Sequence, residues 1–115
     1  MKLHSAVFYT NSIDEVENYY NKTLGIEIEY RSDDKFISFI FPNGARLGIK
    51  KAAEEREIPG NQTVFLEVEN VNDWYEKAQK LNLNILKPLT EESWATEFSI
   101  LDPDKNKVQI IQPKM

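Results

Sequence analysis

The same order of strand-like and helix-like segments occurs twice along this 115-residue chain. In each copy an apolar strand precedes a helix that begins at a polar residue, Ser12 in the first copy and Asn70 in the second. A turn containing a proline, Pro42 or Pro103, then precedes the last strand of each copy. A copy of this length is too short to bury a core by itself, so the two copies are predicted to form a single domain.

The first copy, residues 1–50, is predicted to fold as β-α-β-β-β. Its first strand covers residues 2–10, which are rich in β-forming side chains. Ser12 and Glu15 have the spacing of a capping box, in which the serine hydroxyl accepts a hydrogen bond from the backbone N–H of Glu15. Gly25 stands where the C-terminal cap of the helix is expected. Three further strands are predicted, at residues 26–30, 36–41 and 46–50.

A charged segment, residues 51–61, is predicted to connect the copies, and the second copy covers residues 62–115. Val64, Leu66 and Val68 occupy alternate positions of its first strand, so they are expected to face the helix. The later strands are predicted at residues 83–87, 97–101 and 108–112, with a loop at residues 88–93. Both copies therefore have the order β-α-β-β-β, which predicts the α+β fold class.

Composition excludes several classes of partner. The net charge is −5 and no basic cluster is denser than Lys50-Lys51, which argues against nucleic acid. No apolar run approaches the roughly 20 residues that a membrane helix needs, so no membrane partner is expected. The chain has no cysteine, which excludes disulfides and thiol nucleophiles and fits a cytoplasmic location. His4 is the only histidine, so a Ser-His-Asp triad has little support, and the catalytic residues stay unknown.

Three segments carry a resemblance to a known family. They are residues 12–26, with the Ser-Ile-Asp-Glu-Val start and the Leu-Gly-Ile end of the first helix, residues 65–71, and residues 94–109 with their Asp-Pro-Asp-Lys-Asn turn. In this order and spacing they resemble the vicinal oxygen chelate superfamily, the group of glyoxalase I, extradiol dioxygenases, fosfomycin-resistance proteins and bleomycin-binding proteins. The resemblance implies tandem βαβββ modules that form a curved mixed sheet around a hollow, with the helices outside. It also implies a homodimer.

The resemblance also implies where a metal would bind. Metal-dependent members carry one ligand on the first and last strand of each module, and these places fall at Ser5, Gly48, Thr63 and Gln109. None of these residues is a good ligand for a transition metal, so we expect no metal and no other cofactor. His4 lies one residue from such a place, and a β-bulge or a slip of one residue would turn it inward. A divalent metal held by His4 in an atypical site is therefore the alternative.

Strand alternation and this register together predict which side chains face the hollow. The expected set is aromatic and apolar with a few polar groups, as small-molecule pockets usually are: Ser5, Val7, Tyr9, Phe36, Ser38, Ile40, Arg46, Thr63, Phe65, Glu67, Glu97, Ser99, Leu101 and Gln109. The predicted ligand-binding residues are Tyr9, Phe36, Ser38, Arg46, Phe65, Glu67, Trp94, Glu97 and Gln109. Trp94 could stack a planar ligand, and Glu67 or Glu97 could pair with a cationic group. The alternative is that the aromatic rings fill a collapsed core and the carboxylates pair with Arg46.

Three hypotheses for function follow. The leading one is a metal-free protein that binds a small organic ligand, planar or cationic, and sequesters it as bleomycin-binding proteins sequester a drug. The alternative is a metal-dependent, glyoxalase-like lyase or isomerase, or a dioxygenase, that uses His4. The third is an interaction module with a collapsed hollow and no ligand.

Overall fold

The computed structural model describes residues 1–114 and contains two compact units, Met1–Gly60 and the part of the chain from Asn61 onward. Each unit contains one four-stranded mixed sheet and one helical segment between its first and second strands. The α+β class and the tandem β-α-β-β-β order are therefore confirmed. No helix within residues 1–114 is both long enough and apolar enough to cross a membrane.

The first unit places its four strands in the order β1-β4-β3-β2. Strand β1 runs parallel to β4, and the other two pairings are antiparallel. The helical segment packs on one face of the sheet, where Tyr20 is fully buried and its ring lies 5.6 Å from that of Phe39. The elements are β1 (Ala6–Thr10), α1 (Ile13–Glu17), a π-helical segment (Asn18–Thr23), β2 (Glu27–Ser32), β3 (Phe36–Ile40) and β4 (Arg46–Lys51).

The second unit repeats this topology with the order β5-β8-β7-β6. Its helix packs on the sheet through Tyr75, whose ring lies 5.1 Å from that of Phe98 in an edge-to-face arrangement. Val64 and Leu66 pair in register with Val108 and Ile110 on this same face, as alternation predicted. The elements are β5 (Thr63–Glu67), α2 (Val71–Lys80), β6 (Ile85–Glu91), β7 (Ala95–Leu101) and β8 (Lys107–Pro113).

The start of the first helix differs from the prediction. Ser12 is the N-cap residue, but its hydroxyl caps no backbone N–H, so the predicted capping box with Glu15 is wrong. Instead the Ser12 backbone N–H donates to the hydroxyl of Thr10 at 3.0 Å. The second helix does have the predicted type of cap, because the Asn70 side chain accepts from the backbone N–H of Asp73 at 3.2 Å.

The first helix also changes type along its length. After Glu17 it continues as a π-helix, in which the Leu24 N–H donates to the carbonyl of Tyr19. A π turn holds more residues than an α turn, so the combination keeps Val16, Tyr20 and Leu24 on one line facing the sheet. All three are buried. Gly25 follows with φ +76°, as expected of a residue that ends a helix.

Several predicted strand limits are wrong, and the two largest differences lie at the start of β1 and the end of β6. The first strand begins at Ala6 rather than at residue 2. Residues 88–93, predicted as a loop, lie partly in β6, which continues through Pro88 to Glu91. Because β6 is an edge strand with irregular register between Lys87 and Thr90, it tolerates a proline that cannot donate a hydrogen bond.

The segment after β4 is held by one buried carboxylate. Glu57 accepts a hydrogen bond from Lys50 Nζ at 2.6 Å and from the backbone N–H groups of Ala53 and Glu54. These hydrogen bonds lower the pKa of Glu57 from 4.5 to about 2, and the bond from Lys50 has the largest effect. Residues 52–60, predicted as part of a connector, therefore contain an ordered turn within the first unit.

Candidate functional site

Each sheet has a second face, opposite its helix, which we call the helix-free face. In the first sheet the register aligns Val7, Gly48, Ser38 and Tyr30 across the four strands on this face. Because side chains alternate along a strand, the neighbours two positions away share it. This face contains those residues of β1, β3 and β4 that were predicted to face inward: Val7, Tyr9, Phe36, Ser38, Ile40 and Arg46.

The polar groups on this first face satisfy one another. Glu29 accepts hydrogen bonds from the Ser38 hydroxyl at 2.9 Å and from Arg46 Nε at 2.9–3.0 Å. These hydrogen bonds hold the pKa of Glu29 below its usual value, the bond from Ser38 having the largest effect and the bond from Arg46 the next largest. The carboxylate is therefore the favoured form. Sequence reasoning missed Glu29 because a register shift between Ile28 and Tyr30 changes the alternation of β2 at this position.

Aromatic rings fill the middle of the first face. A Cβ atom added at Gly48 would lie 2.7 Å from Phe36 Cζ and 3.3 Å from Val7 Cγ2, so the phenyl ring occupies the space above the glycine. The Tyr30 ring stacks on Phe36 with centroids 6.0 Å apart. Tyr9 is partly buried opposite Lys50. On the first face the Phe36 ring thus covers Gly48, and the serine is paired.

The second sheet has the corresponding arrangement of strands with different side chains. Its register aligns Phe65, Gln109, Ser99 and Lys87 across the helix-free face, in the order of the strands. A second row contains Glu67, Ile111 and Glu97. The inward-facing residues predicted for this unit all lie on this face: Thr63, Phe65, Glu67, Glu97, Ser99, Leu101 and Gln109.

Three polar side chains on this second face are buried together, and we call them the polar cluster: Glu97, Ser99 and Gln109. Their exposed fractions are 3%, 1% and 7%. The Gln109 amide Nε2 donates to Glu97 Oε2. The Ser99 hydroxyl is buried and has no hydrogen-bond partner within residues 1–114. A buried hydroxyl without a partner is costly, and such groups are rare in native proteins.

Exposed groups lie on the same unit near the polar cluster. The rings of Phe65 and Trp94 are 6.3 Å apart and tilted by 37°, and about half of each side chain is exposed. Phe65 lies directly beside Gln109 in the register. Glu67 is also exposed and stands in the same row as Glu97. This arrangement offers aromatic surface, a carboxylate and an unused hydroxyl to a ligand.

The residues present do not fit a metal ion. The four ligand places implied by the resemblance hold two hydroxyls, a glycine and an amide: Ser5, Gly48, Thr63 and Gln109. His4 precedes β1, is exposed, and its Nδ1 lies 3.3 Å from the Ser5 hydroxyl. Within residues 1–114 no three side chains of the His, Cys, Asp or Glu type are grouped so that they could hold a metal.

Comparison with known protein families identifies the class of protein to which this fold belongs. The model of the Glyoxalase/Bleomycin resistance protein/Dioxygenase superfamily matches residues 2–110, and the chain belongs to this superfamily. The resemblance stated from the sequence is thereby confirmed. No curated protein matches the chain.

Solved structures share the fold at low sequence identity. A member of the same superfamily from Sphaerobacter thermophilus is 18% identical, with a TM-score of 0.83 over 97% of both chains. The virulence protein STM3117 from Salmonella typhimurium is 17% identical, with a TM-score of 0.82 over 97% of this chain and 96% of that one. Lactoylglutathione lyase from Agrobacterium tumefaciens is 16% identical, with a TM-score of 0.80 over 96% and 92%. These likenesses establish the fold.

Proposed function

We propose that this protein binds a small planar organic molecule on the helix-free face of its second sheet, without a metal, and sequesters it. The observation that carries this proposal is the polar cluster. Ser99 is buried and its hydroxyl has no partner among residues 1–114, while Phe65 and Trp94 expose their rings nearby. Binding sites combine apolar area with a few oriented polar groups. Here both are present on one face.

The second face is favoured over the first by a comparison within the chain. On the first face Ser38 donates to Glu29, and Arg46 neutralises that carboxylate. Phe36 fills the space above Gly48. A ligand would have to break these contacts before it could make its own. On the second face the Ser99 hydroxyl makes no hydrogen bond within residues 1–114 that a ligand would have to break.

A metal-dependent lyase or dioxygenase is the second candidate, because one structural neighbour is a lactoylglutathione lyase. This candidate needs several strong ligands around a divalent ion. The donor set of Ser5, Thr63 and Gln109 is neutral, and His4 lies outside the strand. The chemistry of these groups supports binding without a metal.

The proposal is tested by isothermal titration calorimetry in buffer containing EDTA. The probes are planar compounds of one to three rings, led by 1-naphthalenemethanol. We expect saturable binding that Trp94→Ala weakens about tenfold, because stacking on the indole is lost. Trp74→Ala is the matched control: Trp74 lies on α2 under Lys77 Nζ, which is 4.7 Å from its ring centroid, and it should not affect binding.

Two results in EDTA would contradict the proposal. One is the absence of binding by every planar probe, which would favour an interaction module without a ligand. The other is equal loss of affinity in both tryptophan variants. Binding that appears only after Zn²⁺, Ni²⁺, Mn²⁺ or Fe²⁺ is added would favour the metal-dependent candidate instead.

A homodimer in the cytoplasm completes the proposal. Half-exposed apolar side chains such as Tyr30 and Leu86 support self-association, and the lack of cysteine fits a reducing compartment. Light scattering of the purified protein tests the dimer directly. A monomer at all concentrations would contradict it.

A further inference from the structure

The two copies place a serine at the same point of their sheets. Ser38 lies between Gly48 and Tyr30 in the first register, and Ser99 lies between Gln109 and Lys87 in the second. Both serines are buried, with exposed fractions of 3% and 1%. The copies therefore provide an internal comparison of what each serine contacts.

The residue that pairs with the serine in the first copy is replaced in the second by one that cannot accept a hydrogen bond. Glu29 occupies the register shift of β2 between Ile28 and Tyr30. Leu86 occupies the corresponding shift of β6, between Ile85 and Lys87, and is 53% exposed. A leucine cannot accept a hydrogen bond, and the Ser99 hydroxyl has no other partner within residues 1–114.

The copies also differ two residues before each serine. Phe36 in the first copy covers Gly48, whereas Glu97 in the second reaches the Gln109 amide. The second face thus has a buried carboxylate where the first has a phenyl ring. Gln109 donates to one oxygen of this carboxylate, and an amide supplies no positive charge.

Within residues 61–114 no lysine of the second unit forms an ion pair with Glu97. Lys87, in the row of Ser99, pairs with Glu92 at 3.3 Å. Lys107 shares the face but lies opposite Leu101, four residues along β7 from Glu97, and forms no ion pair within residues 1–114. Burying a carboxylate without a cation is unfavourable, so a cationic ligand would gain from contact with it.

We infer that the ligand carries a protonated amine that donates hydrogen bonds to the free oxygen of Glu97 and to the Ser99 hydroxyl, with its planar part against Phe65 and Trp94. This inference rests on the proposed function and names the chemical class of the ligand. Glu97 and Ser99 are two residues apart on one strand face, which separates their Cα atoms by about 6.5 Å. One ammonium group can reach both side chains across that distance. Glu67 adds a second negative charge on the same face.

The test compares probes that differ in one group. Calorimetry in EDTA is run with 1-naphthylmethylammonium, with 1-naphthalenemethanol, and with the trimethylated ammonium, which keeps the charge but cannot donate. We expect the primary ammonium to bind about tenfold more tightly than the alcohol, since charge-assisted hydrogen bonds are stronger than neutral ones. The trimethylated probe should bind more weakly than the primary ammonium.

Variants assign this preference to the polar cluster. Glu97→Gln should reduce the difference between ammonium and alcohol to about twofold or less, because the buried negative charge is gone. Ser99→Ala should weaken the ammonium about threefold. Glu91→Gln is the matched control, since Glu91 is an exposed carboxylate of β6 paired with Lys114, and it should leave the difference unchanged.

The outcomes distinguish failure of the inference from failure of the proposed function. Equal affinity of the native protein for ammonium and alcohol would overturn the inference that the ligand carries an amine. It would not contradict the proposal that the ligand is planar. No binding of any of the three probes would overturn both. A preference for ammonium that survives in Glu97→Gln would also overturn the inference, and the comparison of probes on native protein stays decisive if that variant fails to fold.

Discussion

At the scale of single residues, the copies differ most at the position of Gly48 and Gln109. Each lies next to the buried serine of its sheet. Glycine leaves room that the Phe36 ring fills, whereas glutamine holds the Glu97 carboxylate. One position therefore helps to determine whether the helix-free face is filled by the protein's own side chains.

Gly48→Ala is expected to destabilise the protein. The added Cβ would lie 2.7 Å from Phe36 Cζ, closer than van der Waals contact allows. Overpacking of this kind costs about 1–3 kcal/mol of unfolding free energy. Urea unfolding measures it, and the double variant with Phe36→Leu should recover part of the loss because the shorter side chain leaves the space free. A single variant as stable as the native protein would contradict this packing.

His4→Ala should have no effect on metal binding. His4 is exposed and lies before β1, and within residues 1–114 no group of three His, Cys, Asp or Glu side chains could hold a metal. Melts with added Zn²⁺, Ni²⁺, Mn²⁺ or Fe²⁺ should therefore shift equally for both proteins, since only a ligand of the folded state raises the melting temperature. A metal-dependent rise that His4→Ala abolishes would establish the alternative site.

At the scale of elements, the first turns of the two helices differ although both begin at a polar residue. Asn70 caps its helix through its side chain, whereas the Ser12 side chain makes no capping bond. Sequence spacing alone suggested a cap at both. In the first copy the Ser12 N–H, which the Glu15 side chain would bind in a capping box, donates to the Thr10 hydroxyl instead, a contact that depends on how β1 ends.

The matched pair Asn70→Ala and Ser12→Ala tests this difference. The first should lower the free energy of unfolding by about 1 kcal/mol, because the Asp73 N–H loses its acceptor. The second should change it by less than about 0.5 kcal/mol. Equal losses in chemical denaturation would mean that both side chains cap.

The turn around Glu57 should make the stability of the folded protein depend on pH in the acidic range. The pKa of Glu57 is about 2 in the folded protein, below its ordinary value of 4.5. A lowered pKa means that this group's stabilising effect is complete above about pH 4.5 and is lost as pH falls towards 2. Melting temperatures from pH 7 to 2 should therefore converge for the native protein and Glu57→Gln at low pH. The exposed neighbour Glu55 supplies the control Glu55→Gln, which should follow the native curve.

Much of the fold could be predicted from the sequence, but the decisive contacts could not. Alternation at Val64 and Leu66 identified which face meets the helix, and this fixed the positions of Phe65 and Glu67 on the other face. The role of Glu29 depends on a register shift, and the unpaired state of Ser99 depends on a neighbouring strand that offers Leu86. Both are tertiary properties. The π-helical segment likewise follows from packing against the sheet rather than from local spacing.

At the scale of the whole molecule, one topology supports two chemically different sheets. The strand orders β1-β4-β3-β2 and β5-β8-β7-β6 are the same, and each helix packs on one face of its sheet. The first copy pairs its buried serine internally. The second has a buried serine hydroxyl without a partner within residues 1–114 and a buried carboxylate, to which we propose that another molecule binds. We expect such a difference between the copies of a repeated fold, because the side chains of one copy can vary while the other copy maintains stability.

The most direct test of this account is a ¹⁵N–¹H NMR titration with 1-naphthylmethylammonium in EDTA. Trp94 and Trp74 each give a separate indole N–H signal, one beside the polar cluster and one on α2. We predict saturable shifts of the Trp94 indole and of the Ser99 and Gln109 backbone amides, with the Trp74 indole unchanged. Shifts confined to the first unit, or the absence of any saturable shift, would contradict ligand binding on the second sheet.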